Sequence, residues 1–444
     1  MTEERPSLQG LDGLRRLWKS SRRSLIGASA VVAQPLLLNA VSIPATYYII
    51  SSLGPEQYGE WSIALSLLAA TSVLVGLGTR LAFVRSISRD PSRAATLFAE
   101  QLGLRALLGT LAGTVSVLAC LALGYPTVVL QATLLLVFGG VFSAITGVVS
   151  DLLTALERLP SMSAVTAVGG LVLTCSSVIA IWLGAGPVGL GMSYIIGPIL
   201  TAMLALSLVH RQLFPVRAVF APARWKTLLV ESKMLSLQFI VIGLDTQAVN
   251  LLLPKFVGVT EYGYFAAGTL LPARLLVVPD GLNTAFYPVL VRAFGEGTAS
   301  FRSAAQRFYL LAVAVGLATA VPVFALAGPI ARLLFPHQPE ICRQIIEVTI
   351  WWVPLLALHM AATNILNASF RDSREARLSV MAVIVSLATT VLLVSSLGLI
   401  GAALSLLAKG TINLAFRVPL VLEALREPDP TRARAAAAST SPEV

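Results

Sequence analysis

The sequence predicts an all-α, polytopic membrane protein of about twelve transmembrane helices, arranged as two six-helix bundles related by a pseudo-twofold axis. Three observations lead there. Hydrophobic residues make up 56% of the chain and charged residues 12%, with a mean hydropathy of +0.82. A soluble domain carries about 25% charge, so this chain has too little polar surface to cover a water-soluble globule. Apolar stretches of about 20 residues, each able to cross a hydrocarbon core of about 30 Å, recur from residue 24 to residue 424. Third, the chain repeats itself. Leu53-Gly54-Pro55-Glu56-Gln57-Tyr58-Gly59 returns as Val257-Gly258-Val259-Thr260-Glu261-Tyr262-Gly263, so that Gly54, Tyr58 and Gly59 match Gly258, Tyr262 and Gly263 at a spacing of 204. At that spacing Gln34 falls on Gln238.

Taken in order, residues 1–23 form a basic segment. Ser21-Arg22-Arg23 resembles the start of a twin-arginine export signal. Only Leu25 to Gly27 separate it from the cleavage-like Ala28-Ser29-Ala30, far short of an apolar region of about 7–15 residues, so the first helix is expected to stay uncleaved. The N-terminal lobe, 24–209, holds spans at 24–52, 59–84, 97–123, 127–150, 161–183 and 187–209. Residues 210–230 are a polar linker with Pro215 and Pro222 and no apolar core of its own. The C-terminal lobe, 231–424, holds spans at 231–256, 262–290, 307–335, 341–368, 377–397 and 400–424. A second echo supports the repeat: Gly189 and Ser193 open span six as Gly401 and Ser405 open span twelve, offset by 212. The tail, 425–444, is rich in Pro, Ala, Ser and charge and is expected to be disordered.

The turns after odd-numbered spans are short and contain no Lys or Arg, whereas 24 of the 32 basic residues fall on the opposite side. Basic loops stay in the cytoplasm, which puts both termini there and explains the net charge of +10 without nucleic acid. The three cysteines have neither metal-ligand spacing nor a paired framework, and no metal or cofactor is expected. There is no P-loop, paired-carboxylate or Ser/His/Asp arrangement, and outer loops of three to six residues leave no room for a catalytic domain, so an enzyme is not expected.

Eight basic residues lie inside the spans: Arg80, Arg105, Lys255, Arg274, Arg332, Arg343, Lys409 and Arg417. Five sit near helix ends, where long side chains can snorkel to the interface. Arg105, Arg274 and Lys409 are roughly nine to twelve residues deep, as is Asp245. Each central charge costs about 2.5–3.5 kcal/mol on insertion scales, so these groups should face a wet cavity or one another. Asp245 and Arg274 are at similar depth on neighbouring helices and could simply pair. Arg105 and Lys409 have no acid at matching depth in their own spans, and the excess positive charge points to a cavity for an anion. Pro35 and Pro44 are expected to interrupt span one, and Pro272 and Pro279 span eight, while Pro254 ends span seven. The candidate cavity set is therefore Arg105, Arg274 and Lys409, with Arg80, Lys255, Arg417, Gln34 and Gln238; Asp245 is the candidate for ion coupling. Gln34 and Gln238 are either matched contacts across the halves or ordinary interhelical hydrogen bonds. His359, Asn364, Asn367 and Glu347 belong to a proton path or are packed polar groups. Trp351-Trp352 and Tyr47-Tyr48 suit interfacial anchors, and the basic N-terminus touches anionic lipid heads or only sets topology.

Leu53-Gly54-Pro55-Glu56-Gln57-Tyr58-Gly59-Glu60-Trp61 and its return before Tyr264-Phe265 resemble the Leu-Gly-x-x-x-Tyr-Gly signature of the Wzx-type oligosaccharide flippases. These form the polysaccharide-biosynthesis branch of the multidrug/oligosaccharidyl-lipid/polysaccharide exporter superfamily. Leu282-Asn283-Thr284-Ala285-Phe286-Tyr287-Pro288 before a polar loop is also similar to that family, whose twelve-span layout covers 24–424 here. The resemblance implies alternating access between two lobes in the bacterial inner membrane. The implied substrate is an undecaprenyl-pyrophosphate-linked oligosaccharide for surface polysaccharide, moved with coupling to an ion gradient. Membrane lipids are implied partners, and a polysaccharide polymerase or ligase is a further candidate. Multidrug exporters of the superfamily are the alternative, although cationic drugs favour an acidic cavity. Peptidoglycan-precursor flippases typically have two further spans, and a non-transporting scaffold has no use for mid-membrane charges.

Overall fold

The computed structural model describes residues 8–426 apart from 77, 157, 337, 338 and 370; its side chains are described from residue 34 onward, save 35, 36, 81, 159, 231, 234, 235, 238, 372, 373 and 376. The tail beyond 426, expected to be disordered, lies outside the described residues, as does the side chain of Gln238. The elements are α1 (Leu8–Gly76), α2 (Thr79–Arg89), α3 (Ala94–Ala122), α4 (Thr127–Ala155), α5 (Leu159–Trp182), α6 (Gly186–Gln212), α7 (Pro222–Glu231), α8 (Lys233–Val257), α9 (Val259–Leu275), α10 (Val277–Glu296), α11 (Thr298–Ala325), α12 (Ala327–Leu334), α13 (Pro339–Thr349), α14 (Trp352–Ala368) and α15 (Asp372–Arg426). Among the described residues, ten helical stretches are long and apolar enough to cross a membrane. Two of them, in α1 and α15, are broken by non-helical residues at Gly54 and Gly398, so the chain passes twelve times.

Glycine sets those turns because they need a positive φ that other residues adopt at a steric cost. Gly54 (φ 72°) and Gly258 (φ 91°) stand at matching places in the 204-residue repeat, and Gly186 (φ 56°) and Gly398 (φ 53°) at matching places in the 212-residue echo. The repeat seen in the letters is thus a repeat of backbone geometry. Proline behaves differently from expectation. Pro35 and Pro44 leave α1 continuous, and its one non-helical residue is Gly54, because a helical φ already suits proline and each ring removes a single hydrogen bond. Span eight does break, between α9 and α10, flanked by Pro272 and Pro279.

Two further features lie at the ends of the lobes. The helix of α1 begins at Leu8, well inside the segment expected to precede span one. The linker holds a helix of its own, α7, and borrows a core from α3. Trp225 is buried, its indole N–H donates to Glu100 O at 3.0 Å, and Gly103 leaves the space its ring fills. Arg224 pairs with Glu100 beside it.

Helices α3 to α6 pack with α1 as one lobe, and α8 to α15 as the other. The lobes meet where α1 touches α8 and α9. The largest apolar cluster crosses that contact, joining Tyr58, Trp61 and Leu136 to Tyr262, Phe265 and Val394 near the face with the short turns. Toward the basic face each lobe has its own core: Phe83, Ile87, Phe98 and Leu152 in one, Phe294, Phe301, Phe308 and Leu366 in the other. The shared apolar cluster thus lies on the short-turn side and the private ones toward the basic side, where Val73 of α1 still packs against Gly243 of α8.

Candidate functional site

The short-turn contact is built from the repeated motif. A Cβ on Gly59 would lie 2.2 Å from Val259 O, and one on Gly263 1.8 Å from Pro55 O. These two contacts are related by the same 204-residue offset, as contacts across a twofold axis must be. Behind them the Ser66 and Tyr262 hydroxyls are 3.1 Å apart, and Tyr125 donates to Leu251 O at 3.3 Å. Tyr125 lies in the turn between α3 and α4, and burial pushes its phenol up to about 12, so it remains a neutral donor.

Below that contact lies a chamber of about 550 Å³, within the range of small-molecule sites. Its walls are the second limb of α1, α3 and α4, with Tyr194 from α6 and Phe239 from the other lobe. Seven lining residues are glycines, and they divide by role. At Gly139 and Gly113 a Cβ would collide with Tyr194 O and with Val137, so these glycines let helices approach closely. At Gly147 a Cβ meets nothing, so this glycine leaves open volume.

The charge in the chamber comes from Arg80 and Arg105. Gly78 (φ 67°) ends the turn after α1, so Arg80 starts a new helix at the chamber's edge. Arg80 Nε is 2.8 Å from Asp151 Oδ1, and Arg105 Nη2 is 3.3 Å from Asp151 Oδ2. One carboxylate thus stands between two guanidiniums. The cluster carries net charge +1. Arg105 is 8% exposed and its Nε is buried without a partner, while the Arg80 side chain is 65% exposed. Both retain N–H groups for an incoming anion; the rest of the lining is glycine and apolar side chains, with the hydroxyls of Thr71, Ser72, Ser143 and Tyr194 among them.

The other expected cavity residues are not in this chamber. Lys409 and Asp245 form a buried pair, Nζ to Oδ2 at 2.5 Å, in which Lys409 also donates to Asp245 O at 2.9 Å and Ser386 to Asp245 Oδ1 at 3.0 Å. Asp245 therefore pairs with Lys409 and not with Arg274, because α15 packs on α8. Arg417 is enclosed by Glu375 at 2.7 Å, Ser379 at 2.5 Å and Asn413. Lys255 donates to Leu123 O at the end of α3 and sits 4.1 Å over the Tyr125 ring, on the short-turn side. Gln34 is half-buried on α1. Glu347 is held by Arg343 at 2.8 Å, away from any path with His359. Arg274 is not in the chamber either, but among the described residues it has no ion pair, only Asn39 Oδ1 at 3.4 Å across the lobes.

Asp151, Glu375 and Ser386 escaped the sequence argument. Asp151 is one residue beyond the expected end of span four; the signal that finds it is a search for acids at matching depth on every neighbouring span.

A family profile described as "Polysaccharide biosynthesis protein" matches residues 37–294, and one described as MatE matches residues 248–394. No curated protein matches the chain. Among solved structures, an inward-facing multidrug resistance MATE family transporter of the MOP superfamily is similar with a TM-score of 0.71 at 15% identity, over 89% of this chain and 99% of that one. An outward-facing structure of such a transporter has a TM-score of 0.65 at 16% identity, over 89% and 94%. A MOP superfamily transporter from Pyrococcus furiosus, whose binding pocket is described as of reverse polarity, has a TM-score of 0.54 at 15% identity, over 92% and 95%. These likenesses establish the fold. With the profile covering more than half of its length, the chain belongs to the polysaccharide biosynthesis protein family.

Proposed function

We propose that the chain is a flippase. It turns an undecaprenyl-pyrophosphate-linked oligosaccharide from the cytoplasmic to the outer leaflet of the bacterial inner membrane by alternating access, for surface polysaccharide synthesis. The basic face and both termini are then cytoplasmic. The observation that carries this reading is the chamber: two arginines share one carboxylate at its edge, and the remaining wall is mainly glycine and apolar side chains, with the hydroxyls of Thr71, Ser72, Ser143 and Tyr194. A diphosphate can take bidentate hydrogen bonds from guanidiniums, and the apolar, glycine-lined wall suits the prenyl chain. Arg274 supplies a second cation farther along the seam. Asp245 keeps the coupling role as part of a pair, since a proton or cation on its carboxylate would release Lys409. Membrane lipids are partners by location, and a polymerase or ligase remains a candidate partner.

The second reading is an ion-coupled multidrug exporter, favoured by the MatE match over 248–394. A cationic drug would meet a chamber of its own sign. Both readings are separable in cells lacking their own flippase. The chain should restore surface polysaccharide, and Arg80→Ala combined with Arg105→Gln should abolish it with the protein still in the membrane. Drug resistance in a sensitised host, with no effect on polysaccharide, would replace the flippase with the exporter.

A further inference from the structure

A second cavity, of about 380 Å³, lies in the other lobe between α10 and α14. No Lys or Arg is among its lining residues. Its chemistry is that of hydroxyls and one carboxylate. Asp280, Thr284 and Tyr287 recur at the i, i+4, i+7 spacing that puts side chains on one face of α10. Opposite them His359 and Thr363 stand four apart on α14. Asn283 and Asn364 are committed to the wall itself, Asn364 Nδ2 donating to Asn283 Oδ1 at 3.1 Å and Asn283 Nδ2 to Pro279 O at 2.7 Å. His359 Nδ1 and Thr363 Oγ1 are buried and have no partner. Buried polar atoms without partners are rare enough to need an account. Asp280 is exposed, and among the described residues it has no ion pair.

We propose that this cavity is a carbohydrate subsite, in which Asp280, Thr284, His359 and Thr363 hydrogen-bond the hydroxyls of the sugars next to the diphosphate. The proposal rests on the flippase reading and names where that substrate's head group is recognised. Each sugar hydroxyl both donates and accepts. It can satisfy the Asp280 carboxylate, which only accepts, and a Thr363 hydroxyl, which does both. An anion would be repelled by Asp280. A bare metal ion does not fit: no group of three His, Cys, Asp or Glu side chains exists among the described residues, and the volume is that of a small organic ligand. The levels agree as well. The α10 face from Asp280 to Tyr287 lies about 14–24 Å of helix from the basic end at Glu296, a range that includes the roughly 16 Å of Arg105 from the basic end of α3 at Ala94. A head group whose phosphates meet the arginines therefore has its sugars at the height of this cavity.

The test uses the full-length protein in lipid nanodiscs and four synthetic probes: farnesyl diphosphate bare, or carrying glucose, galactose or N-acetylglucosamine. Wild type should bind at least one glycosylated probe about tenfold more tightly than the bare one. Asp280→Asn and the isosteric Thr363→Val should each reduce that ratio about fivefold or more, a scale set by losing a hydrogen bond to a buried or charged group. Affinity for the bare diphosphate should not change. The proposal is overturned if no probe sugar improves binding, or if the preference survives both substitutions while bare diphosphate still binds. Failure of the bare diphosphate to bind would instead remove the flippase reading, and the subsite with it.

Discussion

Asp151 decides how much positive charge the chamber keeps. A second carboxylate beside Arg80 and Arg105 would close the account at zero; with one, the pair of arginines retains a charge and free N–H groups. The contrast with Lys409 is instructive, since its charge is matched by Asp245 and further bonded on both sides. Removing one member of such a buried pair leaves the other unpaired, at about 3–5 kcal/mol, whereas replacing both with apolar residues can be nearly neutral. Lys409→Met should therefore lower the melting temperature sharply, and adding Asp245→Leu should recover most of the loss. A Lys409→Met protein as stable as wild type would show that the pair is not fixed. Coupling is a separate measurement. If Asp245 carries it, Asp245→Asn transports at one rate with the ion gradient present or collapsed; a variant that still slows on collapse removes Asp245 from that role. Sequence depth singles out Arg105, Arg274 and Lys409 but not which of them are already paired. Depth along a helix is readable from residue numbers; which helix stands beside it is not. Asp245 was thus matched with Arg274 on the adjoining span, when its partner comes from α15.

At the scale of elements, the glycines carry the argument. Gly59 and Gly263 let two helix starts press together at backbone distance, and each sits against the residue whose repeat counterpart touches the other. This much was legible in the letters, because Gly-x-x-x-Tyr-Gly recurs intact at one fixed spacing of 204 residues. The linker was less legible: α7 has no apolar surplus of its own, and only the gap at Gly103 shows where Trp225 goes. Two substitutions separate packing from space. Gly263→Val should hold the short-turn face apart, lengthening the spectroscopic distance between labels on Gln57 and Glu261 and stopping transport. Gly147→Leu should leave melting temperature nearly unchanged, since its Cβ meets no neighbour, yet fill the chamber and stop transport. Normal transport in Gly147→Leu would mean that the substrate does not use this chamber.

For the whole molecule on the flippase reading, the apolar cluster shared between lobes and those private to each belong to one position of a hinge. Opening the short-turn side costs the shared contacts among Tyr58, Trp61, Tyr262 and Phe265, so the lobes need compensating contacts on the basic side, or a ligand that prefers the other state. An anion drawing Arg80 and Arg105 away from Asp151 is such a ligand. The most direct test reconstitutes the protein in liposomes and follows movement of an undecaprenyl-pyrophosphate-linked oligosaccharide between leaflets. Wild type should move it, and Arg80→Ala with Arg105→Gln should slow it at least about tenfold, the loss of roughly one charge-assisted hydrogen bond. Movement at the wild-type rate in that double variant would contradict the account.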